Sequence, residues 1–167
     1  MRRWVAVTLL LAAAPAAAAT FVATSVEEVT RSSEAVVRGV VVARAARATA
    51  DGRIVTDVEL AVTSTWKGAP AGAVRLVVPG GSLGSVALAV DAAPTFEDGE
   101  EVVVFLARRG AAWRVMGHAL GKYRVEGLQA RPGLGEAVVL PRTLAAGERA
   151  VGAMPVAELE RRVRSAG

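Results

Sequence analysis

His118 is the only histidine in the sequence, and it stands between Gly117 and Gly121, which leave space around it. Imidazole is the usual choice for a metal ligand or an acid–base group near neutral pH. No Asp, Glu or Cys follows it at ligand spacing, so alone it makes no site. Glu97-Asp98-Gly99-Glu100-Glu101 gathers four carboxylates around a glycine. Such a loop has the donors for Ca²⁺, although its spacing departs from an EF-hand. A solvated turn ahead of a buried strand accounts for it. Within this loop, Glu100 is expected to pair with Lys67 and tie two strand ends together. Pro79-Gly80-Gly81-Ser82-Leu83-Gly84 is glycine-rich. It lacks the lysine and following helix of a phosphate-cradling loop and reads as a turn. No serine lies in Gly-x-Ser-x-Gly, and any triad would have to use His118.

Composition narrows the chemistry further. The chain has no cysteine, which excludes disulfides, thiol nucleophiles, cysteine zinc sites and an N-terminal lipid-bearing cysteine. Lys and Arg number 20 against 16 Asp and Glu. Two of the basic residues, Arg2 and Arg3, fall in the leader described next, leaving 18 against 16. That near balance gives no basis for nucleic-acid binding. Hydrophobic residues make up 53% of the 167, mostly Ala and Val, and aromatics only 4%. The composition is that of one globular domain whose core is filled by Val, Leu and Ala.

Met1-Arg2-Arg3 is a short basic segment, and Trp4 to Ala14 is an apolar run of signal-peptide length. Pro15 breaks it, and Ala17-Ala18-Ala19 supplies the small residues that signal peptidase accepts. The expectation is a signal peptide over 1–19 and a single mature domain over 20–167, exported to the periplasm or secreted. No run of membrane-spanning length follows.

The elements that position the candidate residues are mostly strands. Ser25 is an N-cap with Glu28 three residues on, predicting a short helix to Ser33. Ala35 to Arg47 is a long β run, with Val37, Gly39, Val41 and Ala43 on one face and Arg38, Val40, Val42 and Arg44 on the other. Asp51-Gly52 turns the chain back into Ile54 to Trp66. Val74 to Val78 is a third strand, stopped by Pro79-Gly80-Gly81. Val86, Leu88 and Val90 make a fourth alternating run. Glu101 to Leu106 is nearly all apolar, the pattern of a strand covered on both faces. Trp113 to Met116 is a further main strand. Tyr123 to Val125 and Val138 to Leu140 are weaker strand candidates. Pro155 opens a terminal helix to Val163, with Glu158 and Arg162 as an i,i+4 pair. The fold class expected is mainly β: a five-stranded, OB-like, partly open barrel with a short N-terminal helix and a C-terminal helix.

The succession SSEAVVRGVVV, VTDVELAVTSTWKG, VRLVVPGG, PTFEDGEEVVVFL and GKYRV resembles a group of uncharacterised exported bacterial proteins. It is also similar to the netrin-like modules of the tissue inhibitors of metalloproteinases, over about residues 33–125. The matching positions are Trp66, Lys67 and Gly68, an aromatic–Lys–Gly corner, and Phe96, Gly99 and Glu100 ahead of an apolar strand. The resemblance implies an OB-like barrel. It does not carry the inhibitory chemistry, because those inhibitors place an N-terminal Cys on the catalytic zinc and here the expected N-terminus is Thr20. The functional expectation is an exported, non-enzymatic binding module without cofactor or metal, whose protein partner is unknown, a secreted protease being one class. The alternatives are a small metal-dependent hydrolase using His118 and the acidic loop 97–101, and a passive structural protein of the envelope.

Overall fold

A computed structural model describes residues 19–70, 72–135 and 137–167; the signal peptide expected over 1–19 lies, but for Ala19, outside the described residues. In chain order the elements are β1 (Thr20–Val22), α1 (Val26–Ser32), β2 (Ala35–Ala48), β3 (Ile54–Lys67), β4 (Ala73–Pro79), β5 (Gly81–Leu83), β6 (Val86–Leu88), β7 (Glu101–Arg109) and β8 (Ala112–Val115). A 3-10 turn over His118–Gly121 follows, then β9 (Lys122–Glu126), β10 (Gln129–Pro132), β11 (Val138–Leu140), β12 (Met154–Pro155) and α2 (Val156–Ala166). The protein is mainly β, and five of its strands form a ring. Around that ring β2 pairs with β3, β3 with β4, β4 with β8, β8 with β7, and β7 with β2. Every pairing is antiparallel except β4 with β8, which touch in parallel at the single pair Leu76 and Trp113.

The alternating sequence of β2 and β3 explains two cores rather than one. Val37 and Val41 of β2, Val58 and Leu60 of β3, Leu76 of β4 and Val104 of β7 point inside the ring and pack there with Phe96. Their neighbours Val36, Trp66, Val103 and Phe105 point outward, where the helices cover them through Val29 of α1 and Leu159 and Val163 of α2. β7 serves both cores, so Val102 through Leu106 are all buried, as the unbroken apolar run predicts. Beyond β7 the sheet continues outward through β9, β10 and β12.

β2 must bend sharply to stay paired with both β3 and β7. Its register with β3 shifts between Val36 and Val37, Arg38 and Gly39, and Val41 and Ala43. Such bulges increase local twist and curl a sheet. At Gly39 the two strands approach so closely that a Cβ would lie 2.5 Å from the Ala61 carbonyl oxygen. Gly68, with φ +73°, turns the end of β3 against the Glu34 carbonyl, where a Cβ would again lie at 2.5 Å.

Both helices follow their sequence signals. The Ser25 hydroxyl accepts from the Glu28 N–H at 3.0 Å, and Arg162 donates to Glu158 at 3.0 Å. The two helices are clamped to the 142–149 segment by three carboxylates. Glu27 accepts from the Arg149 N–H at 2.9 Å and from Arg162 at 2.8 Å. Glu28 accepts from Thr24 and Arg142, and Glu148 from Arg31.

The fourth alternating run is a correction. Val86–Leu88 does not join the ring; it forms a separate hairpin with Gly81–Leu83, a segment expected to be loop. Alternation of Val with small residues satisfied the strand pattern, but Val86 is 57% exposed and faces no second layer. The β1, β10 and β12 strands are too short to register as periodic runs.

Two outcomes test this architecture. Gly39→Ala is expected to destabilise by about 1–3 kcal/mol in urea unfolding, because the opposing group is backbone and cannot give way. Burial alone would raise the Glu27 carboxyl, but the Arg149 N–H and Arg162 hold it below its ordinary value. Hydrogen bonds from Arg142 and Thr24 lower Glu28, and one from Arg31 lowers Glu148. Carboxylates depressed in the folded state release stability as they are protonated. Stability is therefore expected to hold above the ordinary carboxyl value of 4.5 and fall as pH drops below it. Thermal unfolding across that range should show a shallower decline for the Glu27→Gln/Glu28→Gln double mutant.

Candidate functional site

Three places could carry chemistry, and all lie where the five-strand ring ends or opens. The first is the acidic loop. Its carboxylates do not converge; each is taken by a different basic side chain. Glu97 pairs with Arg124, Asp98 with Arg44 at 2.8 Å, and Glu101 with Arg38 at 2.8 Å. Glu100 turns inward and meets Lys122 at 2.6 Å, both side chains being buried, while Arg124 approaches the same oxygen at 3.1 Å. The other Glu100 oxygen accepts from the Glu97 N–H at 3.0 Å. The Lys122 ammonium also donates to the Thr95 carbonyl and sits 4.7 Å from the Phe96 ring centre. Burial pulls the Lys122 ammonium below its ordinary value, and the bond to Glu100 opposes that only in part. This arrangement fastens the 95–100 loop to β9 and seats Phe96 as a plug at one end of the inner core.

The expected Glu100–Lys67 pair is thereby overturned. Lys67 instead donates to the Thr30 carbonyl at 2.8 Å, at the end of α1. Lys122, in Gly-Lys-Tyr, is the partner. No local pattern marks it: the pairing of β7 with β9, which sets Val104 opposite Lys122, brings the two together. His118 lies on the 3-10 turn with φ +58° and is exposed. Among the described residues no three His, Asp or Glu side chains stand close enough to share a metal ion. The structure thus does not assemble the His118 and acidic-loop constellation that a metal-dependent hydrolase would need.

The second place is a cavity of about 360 Å³ between the β5–β6 hairpin and the 93–96 segment, lined by Arg44, Thr56, Gly80, Leu88, Val90 and Phe96 among others. It opens above the inner core. The glycine-rich segment forms its lip, held by the Thr56 hydroxyl donating to the Gly80 carbonyl at 2.8 Å. Leu83 faces Val86 and Gly81 faces Leu88 across the hairpin, so Leu83, Val86 and Leu88 share one face. These three are 41%, 57% and 41% exposed. Each strand of this hairpin has a strand partner on one side only. The alternation of Val86, Leu88 and Val90 predicts a fourth strand here but does not report that its apolar face is exposed.

The chain matches no family model, no curated protein and no solved structure. Function must therefore be argued from these sites.

The third place is a cleft on the outside of the ring, where β4 and β8 diverge beyond Leu76 and Trp113. It holds three arginines and His118.

The buried pair yields a direct test. Lys122→Met leaves the Glu100 carboxylate in the interior with only Arg124 beside it. The expected loss is about 3–5 kcal/mol in urea unfolding. Adding Glu100→Gln to Lys122→Met should restore a good part of that loss, because the stranded charge is gone.

Proposed function

We propose that this protein is an exported, non-enzymatic binding module built on an OB-like, partly open barrel, and that it takes an extended segment of a protein partner. The cyclic order of the five strands and the single parallel contact between β4 and β8 support the barrel reading. The basic, apolar and small-residue sequence of the leader supports export.

One observation carries the binding role. An apolar hairpin, paired on one side only, stands over a cavity of about 360 Å³ that reaches toward the inner core. Free strand edges receive extended peptides by main-chain hydrogen bonding, and adjoining pockets select alternate side chains. Leu83, Val86 and Leu88 offer the apolar face, and the cavity has room for one or two aliphatic side chains. A soluble protein keeps such a combination exposed where a partner covers it. The groups that could serve hydrolysis point the other way, since the four carboxylates of the acidic loop are held in ion pairs with Arg38, Arg44, Lys122 and Arg124. The netrin-like resemblance makes a secreted protease the first partner class to test.

A photo-crosslinking residue placed at Val86, and separately at Arg164 on α2, separates this reading from a passive envelope role. In producing cells, the 86 position is expected to give a discrete adduct with one protein and the 164 position none. Leu88→Asp should abolish that adduct without shifting the thermal midpoint. Equal labelling from both positions, or none from 86, overturns the reading.

A further inference from the structure

The cleft beside the β4–β8 seam has a volume of about 290 Å³ and is lined by Arg108, Arg109, Arg114 and His118, with Val77 and Met116 among its apolar walls. No Asp or Glu lines it. Elsewhere the arginines are largely neutralised by carboxylates, yet among the described residues Arg108, Arg109 and Arg114 make no ion pair. The strand register explains how they meet. Ala107 faces Arg114 and Arg109 faces Ala112 across the β7–β8 hairpin. Arg109 and Arg114 are therefore diagonal neighbours on one face, a separation of roughly 7–8 Å between backbones that one oxyanion can bridge. Arg108 projects from the opposite face, and its guanidinium is held over the Trp113 ring at 4.5 Å. The Arg114 Nε–H is buried and has no hydrogen-bond partner. A buried charged donor left unpaired is costly, and native proteins rarely keep one without a use.

We propose that this cleft is a binding site for a phosphate-type oxyanion, carried as a monoester whose apolar substituent packs against Val77 and Met116. Guanidinium groups match the planar pairs of oxygens on phosphate better than any other side chain. The charge on this face is supplied by Arg109 and Arg114, no Asp or Glu lines the cleft, and the apolar walls select an ester over the bare ion. The site is independent of the apolar hairpin and of the partner proposed for it.

Calorimetric titration of the full mature chain with phenyl phosphate and with inorganic phosphate tests the proposal, alongside co-sedimentation with vesicles containing phosphatidic acid. Phenyl phosphate is expected to bind, and Arg114→Gln and Arg109→Gln each to weaken it on the order of tenfold. Arg161→Gln, which removes the same charge from α2, should leave binding unchanged. Arg109 is exposed, so its variant reports even if Arg114→Gln unfolds the chain. Equal affinity for both solution probes would overturn the proposed ester, since the apolar walls would then contribute nothing. Binding only to the vesicles, lost with Arg109→Gln, would support a lipid headgroup as the source. No binding to any probe, or equal weakening by Arg161→Gln, overturns the proposal.

Discussion

The close approach of β2 to β3 at Gly39 is the constraint on which the architecture depends. Two 14-residue strands stay paired along nearly their whole length, and they do so only by bending together. A straight ribbon would leave β4 and β7 on opposite sides of an open sheet. The bulges around Arg38 and Val41 let β2 pair with β7 through Ala35–Val40 while it remains on β3 to its far end. With β2 curled in this way, β7 and β4 come round to meet β8, and the ring follows. With the sheet curled, the alternation of one strand serves two cores, Val37 inside and Val36 outside under the helices.

Once the ring exists, its ends need closing, and the chain uses different chemistry for the purpose. At the outer layer the closure is apolar, by α1 and α2 over Trp66, Phe105 and Tyr123. Tyr123 is fully buried, and that burial pushes the ionisation of its phenol up. At the end near Phe96 the closure is ionic. A loop rich in carboxylates would not stay folded over an apolar core by itself. It does so because Glu100 enters the protein to meet Lys122, and the remaining carboxylates find arginines outside. The desolvation cost of the buried pair is offset by the Thr95 carbonyl, the Glu97 N–H, Arg124 and the Phe96 ring face.

Much of the scaffold was legible in the sequence, for reasons that are local. The cap at Ser25, the Asp51-Gly52 turn, the unbroken apolar run of β7 and the amphipathic spacing of α2 each express short-range physics. What failed was non-local. Val86 to Val90 carries the alternation of a half-buried strand, yet no layer lies opposite it; periodicity reports a face, not whether anything covers that face. Glu100 was assigned to Lys67 because both flank strand ends, whereas the register of β7 against β9 selects Lys122. The resemblance marked Glu100 as a structural position without naming its partner. The arginine cleft has no motif, since it is assembled from residues of separate strands, and the glycine-rich turn and alternation of the hairpin do not report that its apolar face stays exposed.

The ring closes least completely at the seam between β4 and β8, and arginines without an ion pair stand beside it. β4 and β8 run parallel and share one register pair, so beyond Leu76 and Trp113 each presents an edge that the other does not fill. A parallel closure is geometrically forced here: β8 returns from β7 by a tight hairpin at Gly110 and so arrives at β4 running the same way. Short strands cannot compensate, because β8 has only four residues. Sequence could have filled this seam with carboxylates, as it did around the 97–101 loop, or with aliphatic side chains, as it did under the helices. It carries arginines instead, one of them with a buried and unpartnered N–H. A fold that pairs most of its other guanidinium groups and, among the described residues, leaves Arg109 and Arg114 without an ion pair gathers positive charge beside its own topological opening, and that placement is a property of the site and not of the chain's modest net charge.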